Sequence, residues 1–406
     1  MGVQTHMAED LQYRYVIVGG GMTADAAVAG IRAVDPDGPI AMLSEEPFMP
    51  YNRPPLSKGL FKGERVEQIW RQIDYPGMGV DLYLTTRAAS LDPADHAVTD
   101  ASGRRFRYDR LLLATGGTPV TLPHLPESVV YYRTLRDYFH LARHGLNARR
   151  VAVLGGGFIG SEMAAAFALQ HKDVHQIFPE AGVLGRVLPS DLSADVTRYY
   201  GAQGVTVHAG TVVEEARAEG GRTRLRLSTG EELEVDLMVA GLGIRPRVEL
   251  AASAGIAVEN GIRVDAALRT SAPDVYAAGD VASIFNSALG QAIRVEHEDN
   301  ANAMGEAAGR SMAGASVEHD YLPFFYSDLF DRGFEAVGLL DASLATVADW
   351  KEPYQEGVVY YLNSEGRVVG ALLWNAWERV DAARAVIAAQ NRYTPAESVR
   401  GAIPLG

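Results

Sequence analysis

Cysteine is absent from this chain of 406 residues. That excludes internal disulfides, thiolate metal sites and any relay of electrons through a thiol pair. No apolar run approaches the roughly 20 residues of a membrane span, because glycine, charge or proline interrupts each one. The opening MGVQTHMAEDLQYR lacks the charged start and apolar core of a signal peptide. These readings predict a cytoplasmic protein with no membrane insertion. Positive charge is also scarce: 37 Lys and Arg stand against 51 Asp and Glu, a net charge of −14. Nucleic acid and anionic membranes need dense basic surface, so neither is an expected partner. The arginines clustered at Arg104, Arg105, Arg107 and Arg110 read as solvated loop charge.

What is present is a large apolar fraction, 47%, in a length that suits two or three domains. Two glycine fingerprints stand out. The run Tyr15-Val16-Ile17-Val18 leads into Gly19-x-Gly21-x-x-Ala24, and Val151-Ala152-Val153-Leu154 leads into Gly155-x-Gly157-x-x-Gly160. Each reads as a strand, a tight turn and the start of a helix. The first glycine serves the turn, the second lets backbone N–H groups reach a pyrophosphate, and the third position allows close packing of helix on strand. Each fingerprint is followed about 20 residues on by an acid, Glu45 or Glu180, that suits ribose hydroxyls. The chain is therefore expected to bind two dinucleotides.

Arg110 to Pro119 reads as a buried strand ending in a Gly/Pro turn, the exit from a first domain. A second exit runs from Leu237 to Pro246, and Asp274 to Asp280 reads as a strand that delivers an acid at its end. From about Tyr321 the texture changes to aromatic strands at Phe324–Tyr326, Val358–Leu362 and Val368–Trp374. A helix is expected from Glu378 to Gln390, with Val380, Ala383 and Ile387 on one face. The expected fold is α/β, with two Rossmann-like domains, one inserted in the other, and a C-terminal α+β domain. The boundaries predicted are 1–120 with 247–320, 121–246, and 321–406.

Further runs carry a resemblance that covers nearly the whole chain, from about Tyr13 to about Gln390. These are Pro50-Tyr-Asn-Arg53-Pro-Pro-Leu-Ser-Lys58, Ala114-Thr-Gly-Gly-Thr-Pro119, Gly157-Phe-Ile-Gly-Ser-Glu162 and Arg294-Val-Glu296-His297. The chain resembles the flavoprotein reductases related to glutathione reductase, in the branch that holds oxygenase-coupled ferredoxin reductases and apoptosis-inducing factor. Phe178-Pro-Glu180, Gly185-Arg186-Val-Leu-Pro189, Ser327-Asp-Leu329, Gly333-Phe-Glu335-Ala-Val-Gly338 and Leu373-Trp-Asn375 are similar to the apoptosis-inducing-factor subgroup in particular, in a bacterial-type form.

That resemblance implies FAD and NADH as the two dinucleotides, FAD in the first domain and NADH in the inserted one. For FAD it implies contacts from Gly19, Gly21, Ala24, Glu45, Arg53, Ala88 (through its backbone), Thr115, Gly116 and Asp280, with Glu296, His297 and Tyr326 about the flavin. Lys58 and Glu162 would meet as an ion pair near flavin N5. Gly155, Gly157, Phe158, Ile159, Gly160, Glu180, Arg186, Gly243 and Glu335 would serve NADH. Lys58, Glu162, His297 and Phe158 would be the catalytic set, Phe158 lying over the flavin and moving when nicotinamide stacks; a core role for Phe158 is as good a reading. No metal is expected. Glu298 and Tyr326 stand where ferredoxin reductases commonly carry Trp, so the acceptor stays open among a ferredoxin-type protein, a quinone and oxygen. The implied activity is hydride transfer from NADH to flavin with electrons leaving for that acceptor. The competing expectation is a redox switch in which a long-lived charge-transfer complex controls homodimer formation or partner binding. The short stretch from Asp341 to Tyr360 leaves no room for a long regulatory insertion.

Overall fold

The computed structural model describes residues 10–71, 74–145 and 147–405. The chain divides into two compact units. One comprises Met1–Arg53, Val66–Thr118 and Pro246–Pro323; the other comprises Pro54–Arg65, Pro119–Arg245 and Phe324–Gly406. The short excursion Pro54–Arg65 has no composition signal in the sequence to mark it.

The first unit is built on parallel strands in the spatial order Val80–Tyr83, Ile40–Leu43, Asp10–Val18, Arg105–Leu113 and Val275–Ala277. All four residues of Ile40–Leu43 are buried, as are the last three of Arg105–Leu113. Such continuous burial marks strands covered on both faces, as parallel sheets require. The helices Met22–Arg32 and Glu298–Met312 pack against each other through small residues. A Cβ at Gly305 would sit 2.4 Å from the Thr23 carbonyl oxygen, so a larger residue would force the helices apart.

The second unit contains another parallel sheet, in the order Val205–Ala209, Asp173–Phe178, Arg150–Leu154, Leu237–Ala240 and Val130–Tyr131. Beside it in the chain lies an antiparallel meander of Val213–Glu219, Arg222–Leu227 and Glu232–Val235. Its middle strand alternates exposed arginines with buried Thr223, Leu225 and Leu227, the pattern of a sheet with one wet face. The C-terminal part is a five-stranded antiparallel sheet in the order Phe324–Leu329, Arg332–Gly338, Val368–Trp374, Glu356–Leu362 and Ala345–Glu352. Every residue of Val368–Trp374 is buried, and the helix Val380–Ala388 places Ala383 and Ile387 in the core. The molecule is thus α/β with two Rossmann-like sheets and a C-terminal α+β domain. The aromatic strands stand where the sequence suggested, and the last helix is shorter by two residues at each end. Among the described residues, no helix is long and apolar enough to cross a membrane.

Candidate functional site: two nucleotide turns and a caged carboxylate

Both glycine turns use one backbone solution. Gly19 has φ +132 and Gly155 has φ +119, a region open to glycine and costly for other residues. A Cβ on Gly19 would stand 2.1 Å from the Ala114 carbonyl oxygen, and one on Gly155 would stand 2.3 Å from that of Gly241. Gly21 and Gly157 differ from these: apart from their chain neighbours, no protein atom lies within 4 Å of where their Cβ would be. Each is the N-cap of its helix, and neither helix has a side-chain cap on its first N–H groups. Open space beside uncapped helix N-termini suits a pyrophosphate. Close packing completes the pattern, with Ala24 fully buried and a Gly160 Cβ placed 2.2 Å from the Gly155 carbonyl. The chain's residues therefore fit the two dinucleotides.

In the first unit, Glu45 follows the strand Ile40–Leu43 and pairs with Arg247 at 2.5 Å. Arg247 also anchors the candidate loop: its N–H donates to the Gly116 carbonyl at 2.9 Å and its carbonyl accepts from Thr115 Oγ1 at 2.8 Å. Arg53 pairs with Glu46 at 2.5 Å and lies over the Tyr51 ring. Ala88 opens the strand Ala88–Asp92. Asp280 lies in the single turn Gly279–Val281 directly after Val275–Ala277, and its carbonyl accepts from Arg294 Nη1 at 2.9 Å. Arg294 pairs in turn with Glu296 at 2.7 Å. His297 is the N-cap of Glu298–Met312, with no side-chain capping bond.

In the second unit, Glu180 follows Asp173–Phe178 and is paired with Arg186, whose side chain is 80% exposed. Ile159 is partly exposed at the helix start, and Gly243 accepts from Val120 N–H at 2.9 Å. Phe158 packs edge-on against Phe325, ring centres 5.3 Å apart, and near Phe334. Glu335 lies in the strand Arg332–Gly338. Its Oε2 is buried with no hydrogen-bond partner among the described residues, and burial pushes its carboxyl pKa up. A buried acceptor left open in this way suits an amide donor from a ligand.

Lys58 and Glu162 do meet, Nζ to Oε1 at 3.3 Å, with both side chains largely buried. Ser57 Oγ donates to Glu162 Oε2 at 2.6 Å, and Ser327 Oγ donates to Oε1 at 2.7 Å. The ammonium also donates to the Tyr326 carbonyl at 3.3 Å and lies 3.8 Å from the centre of that ring. Two hydrogen bonds and one ion pair thus satisfy a buried carboxylate that would otherwise be costly. Sequence reasoning gave Ser57 and Ser327 no role, although both adjoin residues it singled out. It also missed Arg247, and Asp25, a buried acid held by Arg71 at 2.5 Å and by Tyr75 at 2.5 Å. Among the described residues no cluster of His, Asp and Glu could hold a metal.

Residues 13–306 match the family described as pyridine nucleotide-disulphide oxidoreductase, and residues 349–389 match the C-terminal segment of mitochondrion-associated apoptosis-inducing factor. The mitochondrial apoptosis-inducing factor 1 of Dictyostelium discoideum is 34% identical, covering 93% of this chain and 78% of that protein. The ferredoxin–NAD(+) reductase component of the anthranilate 1,2-dioxygenase system of Burkholderia cepacia is 35% identical, covering 92% of this chain and 94% of the relative. The covalent putidaredoxin reductase–putidaredoxin complex is similar in structure, with a TM-score of 0.89, 28% identity and 97% of each chain covered.

Proposed function

The chain belongs to the pyridine nucleotide-disulphide oxidoreductase family, and from that membership we propose that its electrons go to a ferredoxin-type iron–sulfur protein. It is an FAD-containing, NADH-dependent oxidoreductase that passes electrons to an acceptor. FAD supplies a two-electron carrier that takes hydride from NADH and can release electrons one at a time. One observation carries the choice of acceptor: in a family named for disulfide chemistry, this chain has no cysteine. Electrons must leave the polypeptide without a thiol relay, and among its relatives a ferredoxin–NAD(+) reductase is similar over nearly its whole length. The redox-switch alternative is not favoured beside these reductases.

In this reading the first unit holds FAD and residues 121–246 hold NADH, with residues 321–406 as the third domain. Gly21 and Gly157 leave room for the two pyrophosphates, and Glu45 and Glu180 accept ribose hydroxyls. Lys58 sets a positive charge beside the flavin, with Glu162 fixing its direction. Glu335 takes the nicotinamide amide. A cytoplasmic setting belongs to the same proposal; quinone, oxygen and homodimer formation are carried by no observation as specific.

The test is anaerobic reduction of the purified yellow protein by NADH in a stopped-flow instrument, followed by mixing with an oxidised ferredoxin, a quinone or air. Rapid bleaching and reoxidation faster with ferredoxin than with air are expected. Reoxidation by ferredoxin no faster than by air would overturn the acceptor.

A further inference from the structure

Glu162 joins three separate stretches of the second unit. Ser57 and Lys58 come from Pro54–Arg65, Glu162 from the helix Phe158–Leu169, and Tyr326 with Ser327 from the strand Phe324–Leu329. In each outer stretch a serine on Glu162 adjoins a residue on the Lys58 ammonium: Ser57 is next to Lys58 itself, and Ser327 is next to Tyr326. A buried serine has an easier option, since Ser193 and Ser311 each donate to a backbone carbonyl at 2.8 Å. Ser57 and Ser327 instead donate to the two different oxygens of one carboxylate, at the short distances of charge-assisted bonds.

We propose that Ser57 and Ser327 are positioning residues that keep Glu162 a fixed anion opposite Lys58, and thereby set how readily the flavin is reduced. The inference rests on the reading that puts Lys58 beside the flavin. Two short bonds to different oxygens fix the plane of the carboxylate as well as its place. With both serines present, the carboxylate is held facing the ammonium and balances it. Without them it can turn away and leave the Lys58 charge less balanced. An unbalanced cation favours the reduced flavin, which carries more negative charge, so the potential rises.

Other titratable groups lie near. Lys58 is its direct partner, and Tyr200 packs behind the same helix, its hydroxyl 3.0 Å from the Ser161 carbonyl with burial pushing its pKa up. A narrow cleft of about 20 Å³, room for roughly one water, reaches Glu162 past Phe61, Leu169 and Phe330. Lys62 and Asp328 border that cleft and pair with each other at 3.8 Å.

The experiment is a dye-equilibrated potentiometric titration of the FAD-loaded protein at one fixed pH, on wild type, the double variant Ser57→Ala/Ser327→Ala and the single variant Ser57→Ala. In the double variant the reduction equilibrium should be favoured about tenfold, ~30 mV for a two-electron couple, and Ser57→Ala should shift the same way by less. In a Glu162→Gln background the serine changes should lose this shift. A double variant with the potential of wild type would overturn the proposal, as would a shift that persists in Glu162→Gln. Should the double variant fail to bind FAD, the single variant decides alone. A wild-type protein that NADH does not reduce would instead sink the underlying functional reading.

Discussion

The two nucleotide turns share a backbone and differ in what surrounds their acids. Gly19 and Gly155 are forced by a carbonyl oxygen just over 2 Å from any Cβ, and Gly21 and Gly157 face open space. Glu45, however, is half exposed and meets an arginine 202 positions away in the chain. Glu180 is more enclosed, at 18% exposure, and its arginine comes from six positions on. The adjacent Glu46 holds a further arginine, Arg53, so the first turn is followed by two acids with two cations from different segments. Backbone sterics fix the turn and repeat it; the side chains that tune each site are recruited separately and do not repeat.

The sharpest way to break the comparison is to separate the first glycine of a turn from the second. Gly155→Val would place a side chain against the Gly241 carbonyl in a backbone region that valine avoids. We expect a loss of about 4 kcal/mol from overpacking and backbone strain together, measured by denaturant unfolding. Gly157→Ala meets no atom within 4 Å. It should leave the unfolding free energy within about 0.5 kcal/mol of wild type, as a surface change does, while weakening NADH at least tenfold. If both variants lose stability equally, the second glycine serves the fold and not the ligand.

Next in size is Glu180. Its carboxylate suits ribose hydroxyls and repels a 2′-phosphate, while Arg186 beside it is free to solvent over most of its surface. Glu180→Ala should raise the Kd for NADH about tenfold, the loss of roughly 1.4 kcal/mol expected for hydrogen bonds to a charged group. Its effect on NADPH should be smaller, because repulsion is removed together with attraction. Equal losses for the two nucleotides, in a titration of flavin absorbance, would sink the assignment.

The sequence revealed the parts of this site that depend on backbone sterics. Glycine spacing after a β-rich run located both turns, and runs such as Val151–Leu154 announced strands, which the structure buries. The meeting of Lys58 with Glu162 came from a resemblance and not from spacing, since they stand 104 positions apart and no periodicity connects them. Ser57 and Ser327 were less accessible still. Serine is common in loops and at strand edges, and nothing local distinguishes a hydroxyl aimed at a distant carboxylate from one aimed at its own backbone. Arg247 gave no signal because its partner lies in another segment, and charge complementarity at such separation leaves no pattern. Phe158 shows the converse difficulty. Its place in a fingerprint suggested a ligand-facing ring, and the structure adds Phe325 and Phe334 as neighbours that only the tertiary fold supplies.

The smallest effect is expected at a pair that looks strong by distance alone. Arg247 and Glu45 are 2.5 Å apart, yet their side chains are 42% and 50% exposed. Exposed pairs of this kind contribute about 0–1 kcal/mol, because water screens the charges and two long side chains lose freedom in meeting. Arg247→Ala should therefore cost less than about 1 kcal/mol in denaturant unfolding, and the difference should shrink further in 1 M salt, where the screening length falls to about 3 Å. The backbone contacts of residue 247 with Thr115 and Gly116 survive that substitution, so the loop should keep its place. A loss above about 2 kcal/mol, unchanged by salt, would mean that the pair is held rigid and dry in solution. The first turn's acid would then resemble the enclosed Glu180, and the contrast between the two sites would fail where it is now widest.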